Sequence, residues 1–255
     1  MSIEVHHIVD GPPGAPVIVL SGSLGSTLDM WEPQVAALSG DFQVVRYDIR
    51  GHGESPVPPA PYSLADLGSD VLTLLDRLGV ERAHFAGLSI GGMTGMWLAA
   101  HASERIDKLA LLCTSPLLGP PQNWAQRAAT VRAGGTEAVA DAVVARWLTA
   151  DYLEREPETV ARMREMIATT PDEGYIGCCA AIEHMDLRDD LPTITAPTLV
   201  IAGSDDLATP PEHAETIAAG LSRPPRLEVI PGAAHLANWE QATLVNGLLR
   251  EHFAD

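Results

Sequence analysis

Residues 83–100, Ala83-His84-Phe85-Ala86-Gly87-Leu88-Ser89-Ile90-Gly91-Gly92-Met93-Thr94-Gly95-Met96-Trp97-Leu98-Ala99-Ala100, decide the architecture. The first four read as a short buried strand. From Gly91 onward, small and apolar residues read as a helix. Between them Gly87-Leu88-Ser89-Ile90-Gly91 fits G-x-S-x-G, the mark of a sharp strand-to-helix turn. A serine on such a turn projects its hydroxyl clear of the backbone. Glycines on either side remove the Cβ atoms that would clash there. The strand before and the helix after make Ser89 a candidate nucleophile rather than an ordinary turn serine.

A serine hydroxyl is a poor nucleophile at neutral pH, so a base must take its proton and a carboxylate must orient that base. On this strand–turn–helix plan the partners follow in the chain order Ser, Asp, His. Thr198-Leu199-Val200-Ile201-Ala202 is an apolar, β-rich run that ends in Gly203-Ser204-Asp205-Asp206-Leu207-Ala208-Thr209-Pro210. Both aspartates therefore fall beyond a strand's C-terminal end, where open α/β sheets build their sites. Asp206 holds the favoured place in G-x-x-D-x-x-T-P, and Asp205 stays open as the alternative. Leu227-Glu228-Val229-Ile230 reads as the last strand, and Pro231-Gly232-Ala233-Ala234-His235 as the loop beyond it. Of nine histidines, His213, His235 and His252 follow the acid. His213 reads as part of an exposed helical turn and His252 lies at the C-terminal end, so His235 is the expected base. Donors for an oxyanion are expected from the backbone of Ile90, which follows the nucleophile, and of Ser23 in Ser21-Gly22-Ser23-Leu24-Gly25-Ser26, the loop after strand Val17–Leu20.

Working outward, strands and helices alternate. Gln43–Tyr47 and Lys108–Leu112 are strands. Ser63-Leu64-Ala65-Asp66 is a capping box opening a helix to about Leu78, with apolar residues at helical spacing. The fold class is α/β: a mostly parallel central sheet with helices on both faces. From about Leu117 to Leu187 the alternation stops, prolines punctuate helical stretches, and no strand appears. A core of 1–116 and 188–255 with a helical cap of 117–187 is expected. Apolar cap residues need a surface to bury against, and some should line a pocket over Ser89. The charged turn Asp48–Ser55 reads as a set of loop-fixing hydrogen bonds, because the Ser–Asp–His order leaves it no task.

Length and composition bound the rest. The 255 residues suit one α/β domain with a modest insertion, and a 46% hydrophobic content supplies a core. No apolar run approaches the roughly 20 residues of a membrane span, and the N-terminus lacks a signal-peptide pattern, so a cytoplasmic location is expected. Cys113, Cys178 and Cys179 form neither a disulfide framework nor a zinc pattern. No metal or cofactor is called for. A formal charge of −18, from 34 acidic against 16 basic residues, argues against nucleic-acid or anionic-membrane partners. An anionic small-molecule substrate would need a local arginine. Oligomeric state is not encoded in any of these features.

Ser21–Trp31, Tyr47–Ser55, Gly87–Gly92, Glu173–Leu191, Ala196–Pro211 and Pro231–Glu240 together resemble the α/β-hydrolase superfamily. Within it the chain is most similar to 3-oxoadipate enol-lactone hydrolases. The narrower signal is the stretch with Gly177-Cys178-Cys179 and Met185-Asp186-Leu187-Arg188. The resemblance implies an α/β-hydrolase fold with a helical cap, the triad Ser89, Asp206 and His235, and no cofactor. It also implies opening of an unsaturated lactone by water, late in the bacterial breakdown of aromatic acids along the β-ketoadipate route. One departure stands out. The resembled family often carries an arginine after the strand Lys108–Leu112, whereas Ser115-Pro116-Leu117-Leu118-Gly119 has none. Arg127, Arg132 or Arg146 would have to replace it; Trp124, Arg127, Arg132 and Trp147 are the expected substrate-binding residues. The missing arginine leaves a neutral ester or lactone open as substrate. A hydrolase fold serving as a small-molecule receptor is the non-enzymatic alternative.

Overall fold

The computed structural model describes residues 1–254. Seven strands form one sheet: β1 (His7–Asp10), β2 (Val17–Ser21), β3 (Gln43–Tyr47), β4 (Ala83–Leu88), β5 (Ile106–Leu112), β6 (Thr198–Gly203) and β7 (Arg226–Ile230). Their order across the sheet is β1-β3-β2-β4-β5-β6-β7. Only β1 runs antiparallel, against β3. The other neighbours are parallel. Every residue of β4 and of β6 is buried, as expected of strands covered by helices on both faces.

The core helices are α1 (Glu32–Leu38), α2 (Leu64–Arg77) and α3 (Ile90–His101) before the cap, which comprises α4 (Pro121–Gly134), α5 (Glu137–Trp147), α6 (Ala150–Arg155), α7 (Pro157–Ala168) and α8 (Asp172–His184). After it come α9 (Pro211–Gly220), α10 (Ala237–Glu240) and α11 (Ala242–Ala254). The expected capping box opens α2: the Ser63 hydroxyl accepts from the Asp66 amide, and the Asp66 carboxylate accepts from the Ser63 amide. Its apolar stripe, Leu64, Leu67, Val71, Leu74 and Leu75, is buried.

Register determines where the site lies. Ser21 is level with Gly87, Gly87 with Leu111, and Gly203 with Ile230. The loops after β2, β4, β6 and β7 consequently leave the sheet at one edge. The cap helices lie between β5 and β6 in the chain. Helix α8 packs on α4 and seats on the core at Gly174, where a Cβ would collide with the Gly51 backbone. The three cysteines are buried and free. Among the described residues, no helix is long and apolar enough to cross a membrane.

Candidate active site

Ser89 holds φ 57° and ψ −118°, a conformation that costs a non-glycine residue on the order of 1–3 kcal/mol. Its neighbours enforce it. The Ser89 amide donates to the Leu112 carbonyl at 3.0 Å. Its carbonyl accepts from the Met93 amide at 3.0 Å and from Thr114 Oγ1 at 2.7 Å. A Cβ at Gly87 would strike the Gly91 carbonyl, and one at Gly91 would strike the Ser21 carbonyl. These two glycines let strand β4, helix α3 and the loop after β2 approach backbone to backbone. Ile90 then opens α3, and its N–H is one of the unpaired donors of a helix N-terminus.

The loop after β2 closes on the same point. The Gly91 amide donates to the Gly22 carbonyl at 3.1 Å. Ser23 is buried, and its carbonyl is held by the Ser26 amide (3.1 Å) and hydroxyl (2.8 Å). His52, from the charged turn, accepts the Gly25 amide on Nε2 at 2.9 Å. That bond requires the neutral ring, whose Nδ1–H then donates to the Arg50 carbonyl at 3.1 Å. Burial pushes His52 down to about 4, against weaker upward pulls from that carbonyl and Asp48. Asp48 accepts the Leu28 and Glu54 amides at 2.7 and 3.0 Å. The turn is thus a loop-fixing network, with one arm on the Ser21–Ser26 loop.

Asp206 and Asp205 part company. Asp206 is buried. Its Oδ1 accepts the Ala208 and Thr209 amides at 2.7 and 2.9 Å. Its Oδ2 accepts Thr209 Oγ1 and His235 Nδ1–H, both at 2.8 Å. Burial pushes this carboxyl up, but His235 and the Thr209 donors outweigh it and hold the group well below the usual carboxylate range. Asp205 is exposed and meets the Ser204 hydroxyl. His235 is buried, and with Nδ1 engaged its Nε2 is the ring atom left for chemistry. Ser89, His235 and Ser23 line one cavity of about 130 Å³.

The cap supplies the opposite wall. Trp124, Arg127 and Trp147 line it, as does Arg146. Arg127 lies over the Trp124 ring at 4.9 Å and has no carboxylate partner among the described residues. Arg146 donates to the Leu207 carbonyl at 2.8 Å. Arg132 corrects an expectation: it is exposed, away from Ser89, bordering a separate hollow with Glu173 and Ala180. His213 is another correction. It is half-buried in α9, with Nδ1 2.7 Å from Ser115 Oγ, so the serine it meets is not Ser89.

Three contributors went unread in the sequence. Thr209 Oγ1 lies 2.8 Å from Asp206 Oδ2 and 3.3 Å from His235 Nδ1; the T-P that closes the aspartate motif was its only signal. Thr114 steadies the elbow with no signal. Glu240 accepts the Ala234 amide on one oxygen, and the Thr149 amide and hydroxyl on the other. It thereby joins the histidine loop to the cap. A serine, a carboxylate-oriented imidazole and the backbone of two loops around one cavity are the kinds of group that acyl transfer to water requires.

The class follows from fold and site together. A family model described as the alpha/beta hydrolase fold matches residues 15–242, and the chain belongs to that family; it is a hydrolase. It is 36% identical over 244 residues to 3-oxoadipate enol-lactonase 2 of Acinetobacter baylyi, covering 96% of this chain and 91% of that one. The crystal structure of the enol-lactonase from Burkholderia xenovorans LB400 superposes with a TM-score of 0.94 at 44% identity, covering 98% of this chain and 96% of that one. A Stutzerimonas stutzeri protein bearing the name "Putative carbamate hydrolase RutD" is 29% identical over 260 residues, covering 100% of this chain and 97% of that one.

Proposed function

We propose that this hydrolase opens a small lactone bearing a carboxylate, 3-oxoadipate enol-lactone being the substrate that the sequence relationships favour. That would place it late in the breakdown of aromatic acids. Ser89 Oγ attacks the ring carbonyl while His235 Nε2 takes its proton. Asp206 holds the imidazole in the required tautomer and stabilises the imidazolium. The Ser23 and Ile90 amides bind the oxyanion. Collapse breaks the ring C–O bond; the enolate oxygen takes the proton from His235 and the enol reverts to a ketone. Water, deprotonated by His235, then attacks the Ser89 ester; its C–O bond to Ser89 breaks, Ser89 Oγ takes the proton back from His235, and a dicarboxylate is released. The enol is a good leaving group, so the demand falls on attack and on oxyanion binding, where each donor is worth about 3 kcal/mol.

Arg127 carries the substrate reading. In a chain of charge −18, a half-buried guanidinium facing the cavity without a carboxylate partner is a cation kept for a ligand. The test is a panel of the anionic enol-lactone, a neutral p-nitrophenyl ester and a small carbamate. The lactone is expected to lead in kcat/KM. Ser89→Ala should abolish several orders of magnitude of turnover without unfolding the protein, and should remove labelling by a fluorophosphonate probe. Preference for the neutral ester or the carbamate would overturn the substrate; a Ser89→Ala enzyme of near-normal rate would overturn the mechanism.

A further inference from the structure

Tyr175 is fully buried on α8, and its hydroxyl has no hydrogen-bond partner among the described residues. A buried phenol ordinarily finds one, because leaving the group unsatisfied costs free energy. Two neighbours give this vacancy a direction. The first is Arg127, on the facing helix α4. Burial pushes the Tyr175 phenol up to about 12, and the nearby Arg127 guanidinium is the foremost group pulling it back. The guanidinium is close enough to act on the phenol, yet the contact falls short of a formed hydrogen bond, and Arg127 also lies over the Trp124 ring. The second is the oxyanion loop. A Cβ at Gly25 would lie 3.2 Å from Tyr175 Cε2, so the ring lies against the loop that carries the Ser23 amide. Next to Tyr175, Gly174 is pressed on the Gly51 backbone, which anchors this end of α8. The phenol is fully buried, whereas the arginine is only half-buried.

We propose that Tyr175 is a positioning residue for a carboxylate-bearing substrate. Its hydroxyl accepts an N–H from Arg127 when the guanidinium turns from Trp124 to the bound carboxylate, and its ring links that arginine to the oxyanion loop. The inference rests on the anionic-lactone reading. It assigns Tyr175 a job at the moment of binding: converting the energy of a remote charge contact into placement of the Ser23 donor. A neutral ester has no charge to recruit Arg127 and gains nothing from the hydroxyl.

The experiment compares Tyr175→Phe, Arg127→Ala and the double variant in the full chain, on the anionic enol-lactone and on p-nitrophenyl acetate. Tyr175→Phe should melt no lower than the parent, since it removes a buried hydroxyl that makes no well-formed hydrogen bond in the free protein. It should hold the neutral-ester rate within about twofold and lose about tenfold in kcat/KM on the lactone, the worth of a hydrogen bond to a charged group. Arg127→Ala should lose at least as much on the lactone, and adding Tyr175→Phe should then cost nothing further. If Arg127→Ala affects both substrates alike, or the lactone is not turned over, the carboxylate reading fails and the Tyr175 role falls with it. If Arg127→Ala discriminates while Tyr175→Phe does not, or slows both substrates equally, the Tyr175 role alone is overturned.

Discussion

Asp205 and Asp206 are identical in chemistry and adjacent in sequence, so their different fates come from environment. Asp206 is buried and accepts four hydrogen bonds, two from backbone amides, one from Thr209 and one from His235. Asp205 stands in solvent with Ser204. An ionised carboxylate survives burial only when its acceptor sites are filled, and the Asp206 loop fills them before the imidazole arrives. Asp206→Asn should keep the shape but present an amide donor to Nδ1, favouring the wrong tautomer, so kcat should fall by roughly 10⁴. Asp205→Asn should leave kcat within about twofold. Thr209→Val removes a donor that steadies Asp206 Oδ2 beside His235 Nδ1; a loss of about threefold to tenfold in kcat is expected, matching about 1 kcal/mol for one hydrogen bond. Steady-state rates of the three variants measure all of this, and an Asp205→Asn enzyme as impaired as Asp206→Asn would reverse the assignment.

At the scale of elements, what matters is how loops from distant strands are held together. Glu240 on α10 ties the histidine loop at Ala234 to Thr149 at the start of α6. The Leu236 amide adds a second tie, donating to the Trp147 carbonyl at 2.9 Å. Glu240→Ala would strand three donors; the expected cost is about 2–3 kcal/mol, read by urea unfolding, with a larger loss in kcat/KM than in binding of a neutral ester. An unchanged unfolding midpoint would sink this role. Elements also mark where the sequence was readable. The βα alternation and the G-x-S-x-G turn disclosed the sheet and the elbow, since both follow from local spacing. Strand β1 was missed because His7–Asp10 is a four-residue edge strand with exposed centre and no alternation. Arg127 and Arg132 were read as equivalent, yet five residues turn a helix through about 500°, leaving them roughly 140° apart. Only one of the two faces the cavity, and Arg146, one position before Trp147 on α5, takes the second place there. Glu240 and Thr209 were silent because their partners lie far off in sequence, and such pairing has no period to detect.

For the whole molecule, two electrostatic effects oppose each other as pH falls from 8 to 5. Carboxylates that repel one another in a chain of charge −18 begin to be neutralised, which favours the compact state. Buried histidines act the other way. Burial holds His52 near 4, and burial together with Lys108, His84 and Arg226 holds half-buried His252 near 4 despite its bond to the Leu109 carbonyl. Both sit below the usual histidine value, so in this window the unfolded chain binds more protons than the folded one. Their stabilising contribution is therefore complete above about pH 6.5 and is lost as pH falls towards 4. His52 is worth on the order of 3 kcal/mol, while His252 is discounted for its exposure. Diffuse surface repulsion is screened within about 8 Å at physiological salt, whereas a ring pressed on the Gly25 amide is not. The histidines should win. Unfolding free energy is expected to fall between pH 6.5 and 5 at both low and high salt, and added salt should stabilise the protein chiefly at pH 8, where repulsion is greatest. Because protonated His52 cannot accept the Gly25 N–H, the Ser21–Ser26 loop should loosen only as pH approaches 4, visible as a lower protection factor at the Gly25 amide. His52→Gln, which keeps a side-chain acceptor without a titrating ring, should flatten the acid limb; a limb of unchanged slope in that variant would show that the acid sensitivity comes from elsewhere in the chain.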